Sequence, residues 1–211
     1  MCAQRIIHYD RGTGGSGKST QIHFIKRFLE EKGYKVVLTR EPGGTVIGEK
    51  IRELVLDKNH KEMANVTEAL LYAASRAQHV AQRIIPAIEE GSIVLCDRFV
   101  DSSIVYQGKG RDLGVENIRD INDFATMGLK PDLTILLDID PEIGIERAKS
   151  AKEADRLEQE KIDFHRIVYD GYKELVQMYP ERIKVVDANQ SIEEVSKGIE
   201  YILNKILLRE E

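Results

Sequence analysis

A glycine-rich stretch near the start of the chain ends in Gly17-Lys18-Ser19. The pattern G-x-x-x-x-G-K-[ST] is typical of a phosphate-binding loop, because its glycines let backbone N–H groups surround an anion and the following helix points its positive N-terminus at the same phosphates. In such a loop Lys18 reaches the β- and γ-phosphates of ATP, and the Ser19 hydroxyl binds Mg²⁺. The pattern predicts an ATP site formed by Gly12, Thr13, Gly14, Gly15, Ser16, Gly17, Lys18, Ser19 and Thr20.

The residues on either side of this loop have the patterns that such a site requires. Residues 4–9 can form a strand, and Ile22, Ile25 and Phe28 share one face of a helix that begins near Ser19. A glycine-rich turn that a lysine happens to follow is the alternative interpretation. The order of strand, loop and helix argues against it.

Charged residues end two other predicted strands. The apolar run 92–96 ends in Asp97 and Arg98, and the run 35–39 ends in Arg40. An acid and a base at the carboxyl end of a parallel strand, beside a phosphate-binding loop, are placed to orient Mg²⁺ and to neutralise a phosphoryl group during its transfer. A surface ion pair is the alternative for Asp97 and Arg98.

Two further segments contain residue types suited to small-molecule recognition. Tyr72 and Arg76 lie four residues apart in a predicted helix and share a face, although a packing aromatic beside a solvent-reaching arginine has the same spacing. Residues 101–110 mix small polar side chains with Tyr106 and Gln107. That mixture suits the binding of a base or a sugar better than it suits core packing.

Residues 147–158 are rich in basic groups and poor in large apolar ones. Such a composition is typical of a solvated helix face. Downstream of a phosphate-binding loop it also suits a lid, whose cations fold onto a triphosphate and leave again.

Length and composition bound the class of protein. The chain has 211 residues, which favours one α/β domain over residues 1–211, and its net charge of −5 provides no overall field for nucleic acid or membranes. Cys2 and Cys96 lie in unrelated contexts, and no apolar run has the length of a signal core or a membrane span. These features predict a cytoplasmic protein without nucleic-acid or membrane partners.

Hydrophobic periodicity predicts that strands and helices alternate along the chain. The later strands are predicted over residues 132–138 and 183–187. Ile47, Ile51, Leu54 and Val55 are expected to face the core in one helix, and Ile118, Ile121 and Phe124 in another. The helices are predicted over 46–57, 62–89 with an internal break, 114–127, 159–178 and 191–208.

Together the motifs resemble those of bacterial thymidylate kinases. The phosphate-binding loop is followed by Arg-Glu-Pro-Gly-Gly-Thr, Leu-Leu-Tyr-Ala-Ala-Ser-Arg, Asp-Arg-Phe and Asp-Ser-Ser-Ile-Val-Tyr-Gln-Gly, an order that extends over nearly the whole chain. The resemblance implies a P-loop NTPase fold, an α/β architecture with a parallel sheet of about five strands flanked by helices and a lid segment at about 147–158. It also implies a homodimer that uses ATP and Mg²⁺ to convert dTMP to dTDP.

The resemblance further implies roles for individual residues. Tyr72 would stack on thymine, and Arg76 would hydrogen-bond the edge of the base. Ser103 and Gln107 would complete base recognition, while Tyr106 would lie against the sugar and disfavour a ribose 2′-hydroxyl. The remaining expected site residues are Arg40 and Arg98 near the acceptor phosphate, Lys18 at the donor phosphates, Arg147, Lys149 and Arg156 in the lid, and Ser19 and Asp97 at the metal.

The first strand and loop depart from the family pattern. The family has an apolar strand followed by Glu-Gly-x-Asp-Gly-x-Gly-Lys, whereas this chain has Arg11 and Gly14 in place of the acids. Loss of one preorganised group costs about 10²- to 10³-fold in rate, which predicts a slow enzyme. His8, Asp10 and Arg11 would also bring polar or charged groups into a core, at a cost of several kcal/mol unless they pair. A compensated frameshift over residues 7–14 is one hypothesis. The genetic code allows a DNA sequence that encodes residues 7–14 in one frame and Phe-Ile-Thr-Ile-Glu-Gly-Leu when it is read from its second base.

Two other functions stay open on the sequence alone. The first is a nucleotide-binding homologue that has lost turnover through the missing acid and the altered strand. The second is a P-loop kinase for another nucleotide or small molecule, which is opposed by the Tyr72 and Arg76 pair together with Ser103, Tyr106 and Gln107.

Overall fold

A single parallel sheet forms the centre of the computed structural model, which describes residues 6–10, 18–149 and 155–207. The strands follow the order β2-β3-β1-β4-β5, and every neighbouring pair is parallel. The carboxyl ends of all the strands therefore lie along one edge of the sheet. The strands are β1 (Ile6–Asp10), β2 (Val36–Arg40), β3 (Ile93–Asp97), β4 (Leu133–Asp138) and β5 (Ile183–Asp187).

Helices connect the strands and confirm the predicted α/β architecture. In the described ranges they are α1 (Lys18–Glu31), α2 (Val46–Leu56), α3 (Asn65–His79), α4 (Ile85–Glu89), α5 (Val100–Ser103), α6 (Val115–Thr126), α7 (Pro141–Lys149), α8 (Ile162–Met178) and α9 (Ile192–Leu207). A π-helical turn at Val80–Ile84 follows α3 and confirms the predicted break. Another at Ile104–Gly110 continues α5, and we call the two together the 100–110 helix. The described part of the chain holds no helix with the length and apolar character needed to cross a bilayer.

Alternating side chains along β1 divide the core between the two faces of the sheet. Ile7 and Tyr9 point to one face and pack with buried residues of α1 and α9. Ile6 points to the other face and packs with Val80. His8 shares the face of Ile6, so this imidazole lies in the interior and needs a polar partner there.

Two helices expose apolar residues that periodicity predicted to be buried. In α2, Ile47 and Leu54 are exposed, whereas Val55 is fully buried. In α6, Phe124 is 89% exposed although Ile118 is buried. The predicted inward faces were wrong at these positions, because periodicity marks an apolar side of a helix without telling which apolar surface covers it.

The neighbouring ends of β2 and β3 bring two predicted site segments together. Arg40 at the end of β2 is in register with Asp97 at the end of β3. The next residue, Arg98, donates its backbone N–H to the Tyr9 carbonyl of β1 at 3.0 Å. Arg98 has a φ of 67°, a left-handed conformation that is uncommon outside glycine and that clusters at functional sites.

A buried network provides the partner that His8 needs. His8 Nδ1 lies 3.2 Å from a carboxylate oxygen of Asp101 in the 100–110 helix. Arg182 donates to both oxygens of this carboxylate at 2.7 and 2.8 Å, and the Thr134 hydroxyl donates to it at 2.8 Å. Burial raises the pKa of Asp101, but the hydrogen bonds from His8 and Arg182 lower it by more, so the pKa lies well below its usual value.

Asp101→Asn is expected to destabilise the fold by about 3 kcal/mol at neutral pH, because it leaves Arg182 without its counter-charge. Folding lowers the pKa of Asp101, so the stabilisation by its carboxylate is complete above about pH 5 and is lost as the pH falls below the unfolded pKa of about 3.9. Urea unfolding of both chains between about pH 3 and pH 7 should show a stability difference that shrinks on acidification.

The matched control is Asp123→Asn, which removes a carboxylate whose side chain is 47% exposed. This variant should change the free energy of unfolding by less than about 0.5 kcal/mol. A difference at Asp101 that stays constant with pH would contradict the proposed linkage.

Candidate active site

The guanidinium of Arg76 is buried at the carboxyl edge of the sheet, with 1% of the residue exposed. Its Nε donates to Glu41 at 2.7 Å, and its Nη1 donates to the Ser103 hydroxyl at 2.9 Å and to the side-chain oxygen of Asn122. Its Nη2 donates to the Phe99 carbonyl at 3.1 Å. One hydrogen of Nη2 is left without an acceptor among the described residues. The guanidinium is therefore held rigidly, and one N–H of Nη2 is available to a ligand.

Glu41, the residue after β2, neutralises Arg76 and is shared with a histidine of α3. His79 Nδ1 lies 2.9 Å from the second Glu41 oxygen, and His79 Nε2 lies 2.6 Å from the Thr39 hydroxyl. Burial raises the pKa of Glu41, but the charge of Arg76 and the contact with His79 lower it by more, so the pKa lies below its usual value. Ligand atoms of Glu41, His79 and Cys96 lie within 4.8 Å of one another. Because Arg76 and Thr39 already occupy Glu41 and His79, we assign a hydrogen-bonded network here rather than a metal site.

Two glycines let the loop after β2 lie directly against α3. The Gly43 amide donates to the Ser75 hydroxyl at 3.1 Å. Gly44 has a φ of 79°, and a Cβ atom at this position would lie 2.7 Å from the His79 ring. The close approach is possible because glycine has no Cβ atom and tolerates positive φ.

Two arginines converge on the same loop. Arg40 Nη1 and Arg52 Nη1 each donate to the Pro42 carbonyl at 3.0 Å, and Arg40 also pairs with Glu49 at 2.8 Å. Burial and the neighbouring charge of Arg40 lower the pKa of Arg52. A bound anion such as phosphate would relieve this repulsion and accept hydrogen bonds from both groups. Arg52 is not among the site residues predicted from the sequence, where its one signal is its place in the helix that follows the glycine loop.

Arg98, Tyr106 and Tyr72 lie close together beside this cluster. The Arg98 guanidinium carbon lies 4.9 Å from the centre of the Tyr106 ring, and its Nη2 lies 3.3 Å from the Tyr106 hydroxyl. Burial and the charge of Glu68 raise the pKa of Tyr72, and the charge of Arg98 acts in the opposite direction. Tyr72 also packs against the apolar cluster that contains Tyr106. The structure therefore places an aromatic face, a phenol and a guanidinium side by side.

The structure places Arg156, the predicted lid cation, against α2 and α3. Arg156 Nη2 pairs with Glu68 at 2.7 Å, and its Nε donates to the Val55 carbonyl at 3.0 Å. Its backbone amide donates to the Leu56 carbonyl at 3.2 Å. These contacts anchor the residue in the described structure, and its role at the transferring phosphoryl group stays a prediction.

Several predicted site residues lie outside the described residues. They include residues 11–17 of the phosphate-binding loop, residues 150–154 of the predicted lid, and the side chains of Lys18, Ser19 and Lys149. Thr20 is exposed in the first turn of α1. Arg147 donates to the Ala188 carbonyl at 3.2 Å, next to the end of β5.

Comparison with known proteins identifies the family. The model of the family described as thymidylate kinase matches residues 11–199. The thymidylate kinase of Thermoanaerobacter sp. (strain X514) is 51% identical over 196 residues, which cover 93% of this chain and 96% of that protein. The chain belongs to the thymidylate kinase family.

Other family members support the same assignment over the whole fold. The thymidylate kinase of Symbiobacterium thermophilum is 49% identical over 198 residues, which cover 94% of this chain and 92% of that protein. The crystal structure of the thymidylate kinase from Ehrlichia chaffeensis matches with a TM-score of 0.77 and 30% identity, and the match covers 96% of this chain and 99% of that one. The expected P-loop NTPase fold is thereby confirmed.

Gly44→Ala is expected to destabilise the fold by about 3 kcal/mol, because it combines the strain of a positive φ with the displacement of His79 from Glu41. Gly33→Ala is the matched control. Gly33 has a φ of 88°, and a Cβ atom there would meet nothing within 4 Å. Its substitution should therefore cost only the conformational strain of about 1 kcal/mol. Urea unfolding measures both values, and equal costs would contradict the importance of the contact with His79.

Proposed function

We propose that the chain transfers the γ-phosphoryl group of ATP to dTMP, giving ADP and dTDP. The observation that carries this proposal is the Arg76 guanidinium, held against Ser103 at 2.9 Å with one N–H unused, one helical turn from Tyr72. This arrangement favours dTMP over another nucleotide as the acceptor, and membership of the thymidylate kinase family favours an enzyme over a homologue without turnover.

The acceptor base is proposed to lie on Tyr72. The unused N–H of Arg76 would donate to a base carbonyl, and Ser103 and Gln107 would complete recognition. Tyr106, held by Arg98 at 3.3 Å, would lie against the sugar, where a ribose 2′-hydroxyl would be crowded.

The acceptor phosphate is proposed to bind Arg40, Arg52 and Arg98. On the donor side, Lys18 and the lid at 147–158 would bind the triphosphate through the cations of Arg147, Lys149 and Arg156. These residues position the two substrates in line and neutralise charge, which is the main requirement of phosphoryl transfer. No general base is needed, because the acceptor is an ionised phosphate.

Asp97 and Ser19 are proposed to hold Mg²⁺. Asp97 is a half-buried carboxylate at the carboxyl end of β3, and carboxylate and hydroxyl oxygens are ligands that Mg²⁺ accepts. When bound, the ion neutralises negative charge on the phosphates of ATP.

We further propose a single kinase domain over residues 1–211 that works in the cytoplasm as a homodimer, without nucleic-acid or membrane partners. Every strand of the described residues belongs to one sheet, which supports a single domain.

A surface formed by three adjacent helices supports the dimer. Helix α3 packs against α2 on one side and against α6 on the other. Six apolar residues are exposed on these three helices. They are Val46, Ile47, Leu54, Val66, Leu70 and Phe124.

The purified chain with Mg²⁺ is expected to release ADP from ATP only when dTMP is present. A reference chain that carries the family-like residues over 7–14 should turn over about 10²- to 10³-fold faster, because it regains the preorganised acids of the loop. A coupled assay of ADP release measures both rates. Faster turnover with dUMP or dCMP than with dTMP would contradict the proposed acceptor.

Leu70→Asp is expected to convert the proposed dimer to monomers, because it places a charge in an apolar contact on α3. Sedimentation velocity at micromolar concentrations measures this change. Tyr201→Asp, at a residue 68% exposed on the remote α9, is the control and should leave the dimer intact. A wild-type chain that sediments as a monomer would contradict the dimer.

A further inference from the structure

A buried carboxylate that no proposed catalytic step uses lies one turn from Tyr72. Glu68 of α3 is 1% exposed and is contacted by three residues from two segments that are distant in sequence. Gln107 Nε2 donates to it at 2.8 Å, Arg156 Nη2 pairs with it at 2.7 Å, and Arg111 Nη2 pairs with it at 3.1 Å. Such a carboxylate fixes the orientation of whatever donates to it.

Glu68 determines which end of the Gln107 amide faces away from it. A carboxylate between two guanidinium groups accepts hydrogen bonds and donates none, so only the NH₂ end of the amide can face it. The Gln107 residue is 2% exposed, and this is the one hydrogen bond of its side chain among the described residues. The amide oxygen is therefore presented on the opposite side as an acceptor.

Helix geometry aligns this pair with the Arg76 and Ser103 pair. Glu68, Tyr72 and Arg76 follow at intervals of four along α3, so they share a face. Ser103 and Gln107 are also four residues apart in the 100–110 helix. The two cross-helix hydrogen bonds, from Arg76 to Ser103 and from Gln107 to Glu68, thus lie on either side of Tyr72.

We propose that Glu68 is a positioning residue that determines base specificity by orienting the Gln107 amide. The inference rests on the proposed function, because it assumes that the acceptor base lies on Tyr72. With Glu68 in place, the slot offers a fixed donor from Arg76 and a fixed acceptor from Gln107. This pair complements the carbonyl and ring N–H of thymine or uracil. Cytosine offers an amino group and a ring nitrogen acceptor instead, which is the opposite polarity.

Replacing the carboxylate with an amide of the same shape removes the constraint. In Glu68→Gln, the new side chain can donate as well as accept, so the Gln107 amide can turn over and present its NH₂ group to the base. Discrimination between dTMP and dCMP should then fall by about tenfold or more, because a hydrogen-bonding site rejects a mismatched base mainly through unpaired polar groups.

The test is the ratio of the dissociation constant for dCMP to that for dTMP, measured by titration calorimetry, which needs no turnover. Thermal unfolding of each variant establishes that it is folded. Glu160→Gln is the matched control, since Glu160 pairs with the same Arg111 at 2.6 Å and has no bond to Gln107 in the described structure. This control should leave the ratio within about twofold of the wild-type value.

A double-mutant cycle separates orientation of the amide from a general structural effect. If Glu68 acts through Gln107, then Glu68→Gln should not lower the ratio further in a Gln107→Ala background. An equal loss in both backgrounds, or a full wild-type ratio in Glu68→Gln, would overturn the inference. A wild-type chain that binds no dTMP would overturn the proposed function and this inference together, whereas a wild-type preference for dTMP that survives Glu68→Gln would overturn the inference alone.

Discussion

A charge buried away from water must find partners, and the guanidinium of Arg76 imposes this constraint on the carboxyl edge of the sheet. Its partners come from the loop after β2 through Glu41, from the 100–110 helix through Ser103, and from α6 through Asn122. Displacing any one of these segments would leave a donor unsatisfied in the interior. The proposed substrate site is therefore rigid for a reason that is independent of any substrate.

The same constraint acts on two buried carboxylates, one within the 100–110 helix and one on α3 beside it. Asp101 is tied to Arg182 before β5, and Glu68 is tied to Arg156 in the predicted lid segment. The helix is therefore held at Asp101 by an ion pair and at Ser103 and Gln107 by hydrogen bonds to α3. The 100–110 helix is thus held by charged and amide groups as well as by the apolar packing of Ile104, Val105 and Tyr106.

The unusual N-terminal segment separates into a structural part and a chemical part. In the structure β1 pairs in register with β3 and β4, and the buried His8 is compensated by Asp101. The strand is thus compatible with the fold despite its departure from the family pattern. The family match begins at residue 11, directly after that strand. The changed loop residues Arg11 and Gly14 lie outside the described residues. Their expected effect, from the loss of the loop acids, is on the rate of phosphoryl transfer.

Local patterns in the sequence were sufficient for the five strands, for most of the helices between them, and for the placement of Tyr72 and Arg76 on one helical face. These features depend on residues within a few turns of one another, and spacing encodes them directly. The break after α3 was also predictable, because the helical pattern was longer than usual. The buried face of α6 could not be predicted from the apolar pattern, because Phe124 fits that pattern and is nevertheless exposed.

Pairings across the fold depended on tertiary packing. Gln107 and Glu68 are 39 residues apart in sequence, and Arg156 and Glu68 are 88 apart. Helical and strand repeats predict contacts only between residues a few positions apart, so neither of these contacts could be predicted from spacing. Arg52, Asn122 and Glu68 each have the appearance of an ordinary polar helix residue in the sequence. Only the crossing of α2, α3, α6 and the 100–110 helix removes Glu68 and Asn122 from water and partly buries Arg52, and burial is what compels such groups to pair.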